Sequence, residues 1–265
     1  MNNLTFIRAE RIDSHMKVKD SARPALDALL EILSDLSRIG TEEEARGALR
    51  AFIEVRRGYR KQYSEADHGP LGLTPLEFAE RIAAFIAETS EGGKRAQAVT
   101  AGLLAMLFEA ERVVSKGVHD PDRRLPGDVG VRSEGAPESL ETADKPVTES
   151  LHIVLEVRDK PVTASDLRAF VEKAIGAGVR RAGMVAIAGR PEAGKVLEQV
   201  AYAAERGVML VMIPSWPALL DSLLFWSGQD VGSALNVAHR AVSEQLRQIE
   251  ASVEAVQQWD EIGEA

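Results

Sequence analysis

The chain has 265 residues, a formal net charge of −9, a 45% hydrophobic share and no cysteine. Disulfides and thiolate zinc sites are therefore excluded, the apolar share is that of a folded globular protein, and no apolar run is long enough to cross a bilayer. The acidic balance argues against a broad basic surface that coats nucleic acid, though it leaves room for one local basic cleft, and the first residues lack a secretory apolar segment, so a cytoplasmic protein with no membrane partner is expected.

Residues 1–20 carry no clear period. From 21 to 36 the leucines Leu26, Leu29, Leu30, Leu33 and Leu36 fall on one side of a helix with Pro24 in its first turn. Thr41, with Glu44 three residues on, predicts the start of a second helix running to about residue 52. Arg50, Arg56, Arg57, Arg60 and Lys61 then cluster, with Tyr59 and Tyr63 among them. Such a cluster either touches DNA phosphates and stacks on a base, or is a solvated helix end with its own salt network. His68 to Gly72 reads as a loop. Thr74, Pro75 and Glu77 begin another helix, whose inner side is Phe78, Ile82, Phe85 and Ile86. After Glu91-Gly92-Gly93 a long helix is predicted over about 94–115, with Val99, Leu103, Met106, Leu107 and Ala110 as its stripe. His119 and Asp120 lie in a polar connector, where a surface histidine outweighs a metal ligand. Arg123 and Arg124 directly precede the next extended segment, which carries Asp128.

The stretch from Leu151 to Asp159 is apolar and then abruptly charged. Its density predicts a central strand covered on both faces. With a period of two, Glu156, Arg158 and Lys160 share one face if the strand stays regular to its end. A carboxylate and two cations at the end of such a strand need partners, a metal or a phosphate. Thr163 and Asp166 predict a following helix with Leu167, Phe170, Val171, Ala174 and Ile175 inward. Strands at 182–188 and 208–213 flank a helix at 192–206, with Val196, Leu197, Val200 and Ala204 inward. An apolar, helical 216–226 and one long helix from Ala234 to Trp259 complete the chain. This order predicts an α/β fold: a mixed central sheet flanked by helices, preceded by an N-terminal helical region. Three parts are expected: a helical region at 1–93, a core at 94–230 and a C-terminal helix at 231–265.

No GxGxxG, GxxxxGK[ST] or GxSxG motif is present, which disfavours dinucleotide, P-loop and serine-hydrolase chemistry. One carboxylate from each of two neighbouring strands, Asp128 and Glu156, can instead converge on a hard divalent cation such as Mg²⁺. A cation two residues past the second carboxylate can hold water or phosphate charge, as phosphodiester hydrolysis requires. The alternative is a structural ion network.

Three stretches carry a resemblance: Arg95-Ala96-Gln97-Ala98, DPDRRLPGDVGV from Asp120 to Val131, and LEVRDKPVTASDL from Leu155 to Leu167. With them the chain resembles type II restriction endonucleases of the PD-(D/E)xK superfamily, and within it the SacI-like group. The resemblance covers about 94–213 as a core. It implies a restriction-endonuclease-like sheet and Asp128 and Glu156 as metal ligands. It also implies Mg²⁺, replaceable by Mn²⁺, and a homodimer that hydrolyses double-stranded DNA at a short palindromic site. The superfamily's lysine falls on Arg158, which is always charged and cannot serve as a base; Lys160 is the alternative for its role. The superfamily's helix glutamate would be Glu109 or Glu111. Arg56, Arg57, Arg60, Lys61, Arg123 and Arg124 are expected to contact DNA. A non-catalytic DNA- or protein-binding module on a degenerate nuclease fold, and a nonspecific or structure-specific nuclease, remain the competing readings.

Overall fold

The computed structural model describes residues 13–16, 18–58, 63, 70–115, 125–135 and 151–263. The chain divides into two units, Met1–Gln62 and Tyr63–Ala265. The first contains helices α1, Arg23–Ser37, and α2, Glu42–Gly58. Leu26 is buried, whereas Leu33 and Leu36 of α1 and Leu49, Phe52 and Ile53 of α2 are exposed. Thr41 caps α2 as the sequence predicts, its hydroxyl accepting from Glu44 N–H at 3.2 Å, and the helix runs six residues past the expected end at 52.

The second unit is built on a five-stranded sheet in the order β1 to β5: Val113–Ser115, Val129–Arg132, Leu151–Arg158, Arg181–Ala186 and Met209–Ile213. β2 runs antiparallel to both β1 and β3, while β3, β4 and β5 are parallel. β3 is the middle strand, and period two sends its apolar side chains to opposite faces. Val154 enters a cluster with Leu167, Phe170 and Val171 of α5, Ala164–Gly176, and Ala203 of α6, Ala193–Ala204. Leu155 enters a cluster on the other face. That cluster is formed by α3, Pro75–Glu88; α4, Lys94–Leu104; α7, Trp216–Ser227; α8, Val231–Gln248; and α9, Val253–Glu261. The sheet is thus the middle of three layers, as a strand buried on both sides demands.

Several boundaries differ from expectation for local reasons. The long helix predicted over 94–115 ends at Leu104, and Val113–Ser115 is an edge strand. Two successive β-branched valines favour pairing with β2 over helix. The single helix expected from Ala234 is two, α8 and α9. Glu250 has φ of 54°, and Ser252 starts α9, its hydroxyl accepting from Ala255 N–H at 3.0 Å. On α6 the inward side is Val196, Val200 and Ala203, whereas Leu197 is exposed.

Candidate active site

The parallel strands β3, β4 and β5 end on one edge of the sheet, and β2 begins there. Ligands of open α/β sheets bind outside the carboxyl ends of strands. Asp128 and Glu156 meet this edge. Asp128 N–H donates to Leu155 O at 2.9 Å, and Val157 N–H donates to Asp128 Oδ2 at 2.8 Å. The side chain of Asp128 thus takes the next donor of the β3 ladder, where the backbone of Gly127 turns away. Gly127 is required at that turn: a Cβ there would stand 2.5 Å from Leu155 O and 2.7 Å from Val154 Cγ2.

Glu156 shares the Val154 face of β3, beside Met184 of β4, and is only 5% exposed. Its Oε1 accepts from Arg158 Nη2 at 2.5 Å. The Arg158 side chain is 43% exposed. Its Nε is buried and has no hydrogen-bond partner among the described residues. An unmatched buried donor costs about 1–3 kcal/mol, so the described residues leave this guanidinium incompletely satisfied. Asp166 lies within reach of its charge. The carboxyl of Asp166 is held below the usual aspartate range by the Thr163 hydroxyl, then by Thr163 N–H, then by Arg158. It closes the capping box of α5.

Lys160 does not continue the face of Glu156 and Arg158. β3 ends at Arg158, and Lys160 is exposed in the bend before Pro161. The chain there is committed elsewhere, with Val162 N–H donating to Gly189 O at 3.1 Å. Glu109 and Glu111 are not in the helix expected for them. Both are exposed, Glu109 just before and Glu111 within a short 3₁₀ turn, Ala110–Arg112. The register Val113 opposite Val131 puts that turn at the far end of β2 from Asp128, and Arg132 there donates to Glu111 O.

Helix α4 contributes Gln97 instead. It is 3% exposed, and its Nε2 donates to Asp128 O at 3.1 Å. A sequence signal existed, an amide inside a helix otherwise rich in small apolar residues. Its partner was not readable, because the contact spans 31 positions. The neighbouring Arg95 is structural. It donates to Phe85 O at 2.6 Å and to Gln258 Oε1 at 2.8 Å, which joins α3, α4 and α9. On β1, Ser115 pairs with Val129 and its hydroxyl donates to Gln245 Oε1 of α8 at 2.6 Å.

Of the residues expected to contact DNA, Arg57 is exposed on α2. Arg60, Lys61, Arg123 and Arg124 lie outside the described residues, as do Tyr59, His119, Asp120 and the side chain of Arg56. Tyr63, read from sequence as part of that basic cluster, is half-buried and donates to Ala251 O at 2.9 Å.

Hard oxygen donors from two adjacent strands suit a divalent cation such as Mg²⁺ or Mn²⁺. Among the described residues, no three His, Cys, Asp or Glu side chains form a metal-holding cluster. Two carboxylates, with the other positions left to solvent or substrate oxygens, make a donor set of the kind Mg²⁺ takes.

No known protein-family profile matches the chain. The type II restriction enzyme SacI of Streptomyces achromogenes is 27% identical to it over 268 residues, covering 99% of this chain and 69% of that enzyme. The chain is thus a distant relative of a restriction enzyme, and its mixed sheet with flanking helices is a restriction-endonuclease-like fold.

Gln97→Leu keeps the side chain's size and removes the donor to Asp128 O. Urea unfolding should register a loss of about 0.5–1.5 kcal/mol from the missing hydrogen bond. An unchanged midpoint and slope would mean that Gln97 does not hold Asp128.

Proposed function

We propose that the protein is a Mg²⁺-dependent endonuclease that hydrolyses double-stranded DNA at a short palindromic site, leaving a 5′-phosphate and a 3′-hydroxyl. The observation that carries this reading is that Asp128 and Glu156 stand at one edge of the sheet on neighbouring segments, which the Val157-to-Asp128 hydrogen bond fastens together. The distant likeness to a restriction enzyme over nearly the whole chain supports it.

Asp128 and Glu156 would hold the cation. Bound there, it supplies Lewis-acid stabilisation of phosphate charge and a more acidic water. Asp128 is oriented by the β3 amide it accepts from and by Gln97 behind its carbonyl. Glu156 is fixed by burial. Arg158 binds phosphate oxygens through its guanidinium fork and does not take a proton, since it is charged at any ordinary pH. Its position on the face of Glu156 favours it over Lys160 for the superfamily lysine's role. Phosphate and base contacts are assigned to Arg56, Arg57, Arg60, Lys61, Arg123 and Arg124. The region 1–93 serves recognition or dimerisation, 94–230 is the nuclease core, and 231–265 is a C-terminal helical part.

A two-fold DNA site is read by a two-fold protein, which argues for a homodimer. Phe225 and Trp226, 77% and 73% exposed at the end of α7, support that helix as part of the interface. The apolar side of α8 is less available, because Leu235, Ala238, Val242 and Leu246 are buried in the core. Light scattering on the DNA complex should give two chains per duplex, and one chain per duplex would contradict the dimer.

Digestion of mixed plasmid and genomic DNA with Mg²⁺, followed by sequencing of the ends, tests the activity. Discrete ends at one motif are expected, with no cutting in EDTA. Asp128→Ala and Glu156→Ala should lose cleavage while keeping specific DNA binding, and Arg158→Lys should retain activity. Random ends would replace the reading with a nonspecific nuclease. No cutting by folded protein in Mg²⁺ or Mn²⁺, with tight DNA or partner binding, would replace it with the non-catalytic module.

A further inference from the structure

The ion pair that closes the site also controls access to it. We infer that Arg158 is a latch on Glu156: the guanidinium and the divalent cation compete for the same carboxylate, so the cation binds tightly only when a phosphate has drawn Arg158 away. The inference rests on the nuclease reading and goes beyond it by coupling metal binding to substrate binding.

Three observations carry it. First, Arg158 Nη2 sits on Glu156 Oε1 at 2.5 Å, so one of the two oxygens that Glu156 can offer a cation already carries a positive partner. A divalent ion cannot share the oxygen with a guanidinium at contact distance without strong like-charge repulsion. Second, the partners differ in freedom. The Glu156 side chain is 6% exposed and stays with the strand, whereas the Arg158 side chain is 43% exposed and can swing outward. Third, the present arrangement leaves Arg158 Nε buried without a partner among the described residues. One carboxylate oxygen uses one prong of the guanidinium fork, while a phosphate accepts from two in parallel. Leaving Glu156 for a phosphate therefore gains a hydrogen bond.

The test is calorimetric titration of Mn²⁺ into the full chain without DNA, comparing wild type with Arg158→Ala, Arg158→Met, Asp128→Ala and Glu156→Ala. The two Arg158 variants should bind Mn²⁺ about tenfold more tightly than wild type, a usual size for coupling between two ligands, and the two carboxylate variants should lose it. A phosphorothioate-substituted duplex should raise the wild-type affinity toward that of the Arg158 variants and raise theirs little. Equal or weaker binding by the Arg158 variants, with Mn²⁺ still lost on removal of Glu156, overturns the latch and leaves the nuclease site standing. Mn²⁺ binding that survives both carboxylate substitutions moves the metal away from this edge and overturns both readings. Should the variants fail to fold, the ¹⁵Nε resonance of Arg158 in the wild-type chain decides. It should move as Mg²⁺ saturates the protein, and a resonance that stays fixed through saturation overturns the latch.

Discussion

The structure depends on how β2 is fastened to β3. An antiparallel ladder would ordinarily continue through backbone groups on both strands. Here Leu155 O is met by the backbone of Asp128, and the next donor, Val157 N–H, is met by the Asp128 side chain. One residue therefore ends the ladder, satisfies a donor at the sheet edge and sets a carboxylate beside the face of Glu156. Two acidic groups at one edge would repel each other in isolation. The amide on Asp128 and the guanidinium on Glu156 offset that cost.

The surrounding packing makes the fastening rigid. Gly127 permits an approach to Leu155 O that no side chain could make. Behind the site, α4 is buried along its whole length from Arg95 to Leu104. It can lie that close to α8 because Gly102 faces Val242, where a Cβ would stand 2.5 Å from the backbone nitrogen. Gln97 on that helix holds Asp128 O, and Gln245 on α8 holds Ser115 of the neighbouring strand β1. The candidate site thus rests on backbone contacts in strands and a buried helix, which hold geometry more firmly than loops do.

The features legible in the sequence were those written in local periodicity. The central strand announced itself by its density of apolar residues, and Thr74 and Thr163 announced their helices, since both make complete capping boxes. The mixed sheet with flanking helices followed from the order of these elements. Legibility failed where a distant partner decided the outcome. Val113 and Val114 continue a plausible helical stripe, and only the arrival of β2 turns them into a strand. The broken C-terminal helix depends on Glu91, whose carboxyl accepts from Ser252 N–H at 2.9 Å and from its hydroxyl. Within the site, the spacing of Glu156 and Arg158 was readable as one strand face. Gln97 was not assignable, and Glu109 and Glu111 were expected in a helix that ends before reaching them.

The central claim is that Asp128 and Glu156 hold one divalent cation between them. Anomalous diffraction from crystals of the DNA complex soaked in Mn²⁺ tests it most directly, because it locates the ion without reference to activity. The account predicts one strong peak within coordination distance of carboxylate oxygens from both residues, with Arg158 turned away from Glu156. A peak that touches neither carboxylate, in crystals where this edge of the sheet is open to solvent, would contradict it.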